Sequence, residues 1–177
     1  AYDKNKAVAT VLYVARKLGN TPRKPDMHRI FKILYFADQK HIAKFGRPVI
    51  GDTYFAMKDG PVPSHIYDML NDVREHVTGQ FDAFFDVQNY YVTPRCEPDI
   101  DEFSESDIEA LDESITENAR LGFTALRKKS HDAAYERSSR DGRISVREIA
   151  KVSGASPEML KYVHGRLELE SAVARKR

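Results

Sequence analysis

Three constellations of side chains have the residue types and spacing to do chemistry. Asp38 and His41 lie three positions apart, as do His65 and Asp68. On a helix, each pair would present a carboxylate and an imidazole from one face, as metal-binding bundles do. The two pairs supply only two carboxylates, and neither an HExxH motif nor a Cys/His cluster with zinc spacing accompanies them. They are read as groups that cap, pair or hydrogen-bond within a polar layer. Ser130, His131 and Asp132 are the residue types of a hydrolytic triad, but neighbours in sequence do not generally reach its serial geometry. His131 and Asp132 are expected to satisfy backbone groups at a helix junction, with Tyr135 filling an adjoining pocket. Neither GxGxxG nor GxxxxGK[ST] occurs, and the run from Gly46 to Gly51 lacks the lysine of a Walker loop. The expectation is a protein without catalytic residues, metal or cofactor, and not an enzyme.

A third candidate is nucleic-acid binding by residues 144–167, which read as helix, glycine turn and helix. Lys161 is the one cation between Ser156 and Gly165, and Glu158 opposes it, so phosphate and base contacts are scarce. A C-terminal helical hairpin packed on the rest is expected, with nucleic acid an unlikely partner. A DNA-binding regulator using this hairpin is the alternative reading.

Residues 30–70 are the stretch that must position these groups. Ile30, Phe31, Leu34, Ala37, His41, Ile42 and Phe45 share one helical face, and Ile33 and Phe36 carry the apolar surface round the cylinder. Such a helix belongs in the middle of a domain. Asp26 caps it and Gly46 stops it. Residues 53–57 have strand composition, and residues 59–63, with Pro61 and Pro63, read as a rigid turn before a helix capped by Ser64 and ending near Gly79. Asp3 caps an amphipathic, peripheral first helix that stops at Gly19. Residues 84–87 and 90–93 are further strand candidates. Ser104 and Asp107 resemble a capping arrangement ahead of an acidic helix, with most carboxylates outward. Short helices follow from Thr124 and from Ser145, and Ser156-Pro157 opens the last one. Together these elements predict a mainly α fold. It is one compact helical domain over residues 1–177, built around a central buried helix, with a small two- or three-stranded antiparallel sheet.

A chain of 177 residues can bury such a core without metal or disulfide staples. Cys96 is the one cysteine, which suits a reducing, cytoplasmic compartment, and the N-terminus lacks a signal-peptide pattern. No apolar run is long enough to cross a bilayer, so no membrane association is expected. Formal net charge is +1, yet residues 97–117 hold ten carboxylates and no Lys or Arg, and the balance reverses from Arg120 onward.

Lys32-Ile33-Leu34-Tyr35-Phe36-Ala37-Asp38, Phe45-Gly46-Arg47-Pro48, the run from Phe55 to Pro63, and Ser130-His131-Asp132-Ala133-Ala134-Tyr135 occur in this order. In this the chain resembles the Panacea, or SocA-like, antitoxin domain of bacterial and phage toxin–antitoxin systems, from about Ala7 to Val163. Tyr135 stands where that family more often has Trp. The resemblance implies a mostly helical antitoxin, in a setting that includes phage defence. It would neutralise a cognate toxin, usually encoded by the adjacent gene, through direct binding. In one branch of the family the antitoxin also hands its toxin to the ClpXP protease. The resemblance carries no catalytic or metal residues. Leu34, Tyr35, Ala37, Asp38, Gly46, Gly60, Pro61, Val62, His131, Asp132 and Tyr135 are its motif positions. Partner contacts are expected from exposed groups near the Gly60-Pro61-Val62 turn, namely Lys58, Asp59 and His65. A basic toxin would also meet the acidic helix through Glu105, Glu109, Asp112 and Glu113.

Overall fold

The structure of the protein is a computed structural model that describes residues 2–176. Asp3 accepts from the Asn5 and Lys6 amides and starts α1 (Lys4–Gly19). Asp26 accepts from the Arg29 amide and starts α2 (Met27–Phe45). Gly46 ends α2 with a φ of 75°, returning its amide to the Ile42 carbonyl. A side chain at Gly46 would also meet the Tyr162 ring, so glycine is required there both for its backbone and for its size. These caps match the sequence reading. The peripheral first helix does not, because α1 is buried without interruption from Ala7 to Ala15. Its two larger polar residues have internal partners: the Thr10 hydroxyl donates to the Lys6 carbonyl at 2.7 Å, and the Tyr13 hydroxyl to Asp112 at 2.6 Å.

Beyond α2 the chain forms β1 (Tyr54–Met57) and returns as β2 (Gly60–Pro63), so the expected rigid turn is itself a strand. Its prolines are tolerated because β2 lies at the edge of the sheet. Ser64 donates its amide to the Thr53 carbonyl, which points residues 60, 62 and 64 at β1 and leaves Pro61 and Pro63 at positions whose amide would face away. Pro63 leads directly into α3 (Ser64–Arg74) and offers no side-chain cap. The cap comes instead from Asp52, twelve residues before the helix starts, whose carboxylate accepts from the His65 and Ile66 amides. The helix ends at Arg74 rather than near Gly79. His76 turns the chain at a φ of 54°, and Val77 is exposed rather than part of the apolar stripe.

β3 (Phe85–Gln88) and β4 (Tyr91–Pro94) pair with each other in a separate two-stranded sheet, joined by a turn in which Asn89 has a φ of 56°. After a 3₁₀ turn (Ile100–Glu102) comes α4 (Glu105–Asn118), opened by a complete Ser104–Asp107 capping box. Next are α5 (Phe123–Ser130) and α6 (Ala133–Glu136). β5 (Arg143–Ile144) pairs antiparallel with the free side of β1, giving the order β2-β1-β5. The chain closes with α7 (Val146–Val152) and α8 (Pro157–Ala174).

The fold is mainly α with two small antiparallel sheets, and α2 divides its core. On one side Ile30, Ile33, Leu34 and Ala37 pack with α1, α3, α4 and the β3–β4 hairpin. On the other, Tyr35, Phe36 and Ile42 pack with Tyr54, Leu126, Ala134, Ile149 and Val163. Among the described residues no helix is long and apolar enough to cross a membrane. Leu34 is fully buried, so Leu34→Ala is expected to cost about 2–5 kcal/mol, read as a lower urea midpoint with an unchanged m-value.

Candidate functional site

Tyr35, Gly60, Pro61, His131, Asp132 and Tyr135 come together beside α2, whereas the motif residues Leu34 and Ala37 face the core on its other side. Tyr35 donates its hydroxyl to the Asp132 carboxylate at 2.9 Å, and Gln39, one turn later, donates to the same carboxylate at 2.8 Å. Asp132 also caps α6 by accepting from the Ala134 and Tyr135 amides. Tyr135 stacks on His131 with ring centroids 4.0 Å apart and donates its hydroxyl to the Met57 carbonyl in β1. The α6 segment is therefore tied to both the central helix and the sheet. Asp132 satisfies backbone amides as expected, whereas His131 does not: its Nε2 is buried without a hydrogen-bond partner. The Ser130 hydroxyl donates to the Arg127 carbonyl rather than to an imidazole. Asp132 serves Tyr35, Gln39 and its own helix, so serine, histidine and aspartate here do not form a relay.

The β1–β2 turn docks against the same face. Gly60 has a φ of 116°, and a side chain there would run into the Ser130 hydroxyl and the Lys32 stem. Lys32 is almost wholly buried and donates to the outward-facing Pro61 carbonyl at 3.0 Å. Burial pulls its pKa down to about 7, against the favourable field of Asp59 and Asp26. Arg127 donates to Asp59 and to the Lys58 carbonyl, fixing the turn from α5.

Asp38 is the deepest carboxylate. Its two oxygens accept from the Val49 amide and the Tyr54 hydroxyl, each at 2.7 Å, which ties α2 to the following loop and to β1. Burial pushes its pKa up to about 6, although these hydrogen bonds favour the ionised form. His41 donates from Nδ1 to the Arg47 carbonyl at 2.6 Å and accepts at Nε2 from the Ser106 hydroxyl at 2.9 Å. The carbonyl can only accept, which fixes the tautomer, and burial holds the ring below its usual pKa and neutral. Asp38 and His41 thus serve different partners. His65 pairs with Asp52 at 2.8 Å and stacks on Tyr2. Among the described residues no three His, Cys, Asp or Glu side chains are grouped to hold a metal ion.

The acidic helix is less free than its composition implies. Lys44 lies between Glu109 and Glu113 at 2.6 and 2.7 Å, Lys40 reaches Glu117, and Asp112 accepts from Tyr13. Burial alone would raise the Asp107 pKa, but Lys6, the Ser104 amide and Arg47 hold it below the ordinary value. Of the four carboxylates proposed for partner contact, Glu105 is the one with neither an ion pair nor a side-chain hydrogen bond among the described residues. Near the sheet turn, Lys58 is exposed, His65 is exposed but paired, and Asp59 is half-buried beneath Arg127. Four groups not assigned a role from sequence shape the surroundings. Lys32 seats the turn and Asp52 caps α3. Arg29 donates from Nη1 to the Ala119 and Leu121 carbonyls at the end of α4, and Ser114 donates to the Ile33 carbonyl. A buried lysine and arginine inside an apolar helix were the available signal for two of them.

The raised Asp38 pKa predicts a pH dependence with a definite sign. Between about pH 4 and 6 the folded protein holds a proton that the unfolded chain has released. This contribution to stability is complete below pH 4 and is lost as pH rises through 6. Asp38→Asn removes it. Stability of the variant relative to wild type should improve by up to about 3 kcal/mol from pH 4 to pH 7, measured by urea unfolding; parallel pH profiles would contradict the assignment.

No curated protein and no solved structure matches this chain. A family model described as antitoxin SocA-like, Panacea domain, matches residues 30–136, from the first turn of α2 to the end of α6. That span is shorter than the resemblance read from sequence, and it holds α2, the β1–β2 turn and the 130–135 segment that the hydrogen bonds bring together. The chain belongs to the SocA-like antitoxin, Panacea domain family.

Proposed function

We propose that this protein is an antitoxin that neutralises a cognate toxin by binding it directly, without catalysis. The observation that carries the reading is the family match over the part of the chain where the motif residues meet. The commitments of those residues support it. The titratable groups closest to α2 are engaged in holding secondary-structure elements together, and a surface that binds protein needs no catalytic set. The toxin is encoded by the adjacent gene, and the complex forms in the cytoplasm. Delivery of the bound toxin to ClpXP belongs to the same proposal, as a step that follows binding.

Co-expression tests it. The product of the adjacent gene should arrest growth alone, and this protein should restore growth and co-purify with it. A neighbour that is harmless alone and does not co-purify would overturn the reading. If ClpXP takes part, toxin half-life should shorten in the presence of this protein and recover when the protease is deleted.

A further inference from the structure

We propose that a rigid aromatic recess between the start of α2, the β3–β4 turn and the start of α5 is the docking site for an acidic segment of a protein partner. That segment would be anchored by one aromatic or aliphatic side chain. The recess holds about 360 Å³ and is lined by Asp26, His28, Arg29, Tyr90, Tyr91 and Phe123. Three of these rings face solvent, with Tyr90 61%, Tyr91 47% and Phe123 51% exposed. Scattered exposed apolar residues are ordinary, whereas several large rings bordering one concavity mark an interaction surface.

The walls are fixed before any partner arrives. Met27 donates its amide to the Tyr90 carbonyl at 2.7 Å and Val92 donates to the Pro25 carbonyl at 2.8 Å, stitching the hairpin to the entrance of α2. Phe123 stacks on His28 with centroids 4.1 Å apart. Rings held in this way lose little conformational freedom on binding, which is what makes aromatic anchors effective. His28 Nε2 is buried with no hydrogen-bond partner in the protein, and burial pulls the ring's pKa down to about 4, so the ring under Phe123 is neutral and adds no charge to the wall.

The rim sets the charge of the occupant. Lys24 lies over Tyr91 and Arg74 over Tyr90, with the cations 5.6 and 4.7 Å from the ring centroids. Arg23 lies across Gly122, beside Phe123, and donates to the Arg120 carbonyl. The nearby carboxylates are engaged, Asp26 with Arg29 and Glu75 with Arg74, whereas Arg23, Lys24 and Arg120 form no ion pair among the described residues. Uncommitted cations around aromatic faces complement carboxylates that flank an apolar anchor. The volume of the recess suits an anchoring side chain rather than a run of stacked bases. The inference deepens the antitoxin reading by giving the partner's chemistry, and it rests on that reading only in taking the partner to be a toxin.

Selection of random dodecapeptides displayed on phage, with the full chain as bait, tests the surface without any toxin. The expected peptides carry carboxylates around an aromatic or aliphatic residue. They should bind on the order of tenfold or more weakly to Tyr90→Ala/Phe123→Ala and lose affinity as salt rises. Because both rings are exposed, this variant should keep the wild-type melting temperature. Arg23→Glu/Lys24→Glu, which leaves the rings in place, should abolish selection of acidic peptides. Failure to select any peptide, selection of basic peptides, or equal binding to the ring variant would each overturn the proposal. So would binding of a dT12 oligonucleotide that the ring variant abolishes, because it would assign the recess to nucleic acid. Growth rescue by the wild-type chain is scored separately, so failure of the antitoxin reading and failure of this surface give different results.

Discussion

A charged or polar side chain buried on a central helix needs a partner within the protein, because a buried donor, acceptor or charge left alone costs more than a typical hydrogen bond contributes. α2 carries four of them, although its C-terminal end at Lys44 and Phe45 is exposed. Arg29, Lys32, Asp38 and His41 are all buried, and each is matched to a partner on a different element. Arg29 reaches the end of α4, Lys32 the β1–β2 turn, Asp38 the loop and β1, and His41 the Arg47 turn and the start of α4. Tyr35 adds the link to α6. Because every partner is specific in direction, the polar set fixes where the surrounding elements dock, while the apolar faces supply most of the burial. Burial disfavours the charged form of both Lys32 and Asp38, and it draws the Lys32 pKa down and the Asp38 pKa up.

Local chemistry was legible where it is confined to a few residues. Asp3, Asp26, Ser104 with Asp107, Ser145 and Ser156 read as helix starts because an N-cap needs only its own side chain and the next turn's amides. The apolar density of residues 30–45 read correctly as a central helix. Long-range pairings were not legible. β5 is two residues long, has no pattern of its own and exists because β1 has a free edge. Asp52 caps a helix from well upstream, a role that depends on how the strands fold back. Pro61 and Pro63 argued for a turn, since a strand tolerates them only where its outer edge makes no amide bond to a neighbour. The first helix read as amphipathic and peripheral, and the internal partners of Thr10 and Tyr13, which let its other face be buried, could not be inferred from spacing. The acidic helix looked free because the lysines that face it belong to α2.

The candidate site was legible as a set of residues but not as an arrangement. Leu34, Tyr35, Ala37, Asp38, Gly60, Pro61, His131, Asp132 and Tyr135 are far apart in sequence, and the structure gathers them around one helix. The central helix provides the donors and acceptors, the β1–β2 turn is seated on Lys32, and the 130–135 segment closes over Tyr35 and the turn. Within the family match, the exposed surface then divides into parts that serve the fold and parts that do not. Lys40 and Lys44 are answered by the carboxylates of α4, whereas the rings at Tyr90, Tyr91 and Phe123 face solvent with cations beside them.

The central claim is that the motif residues hold the scaffold rather than touch the partner. Asp132→Ala tests it most directly, because Asp132 joins Tyr35, Gln39 and the first turn of α6 and does nothing else in the structure. Its stability and its rescue of toxin-arrested cells should be measured together across temperature. The account predicts a loss of about 1–3 kcal/mol, with rescue failing only as the folded fraction falls and returning on cooling. A variant that melts with the wild type yet fails to rescue at every temperature would contradict it.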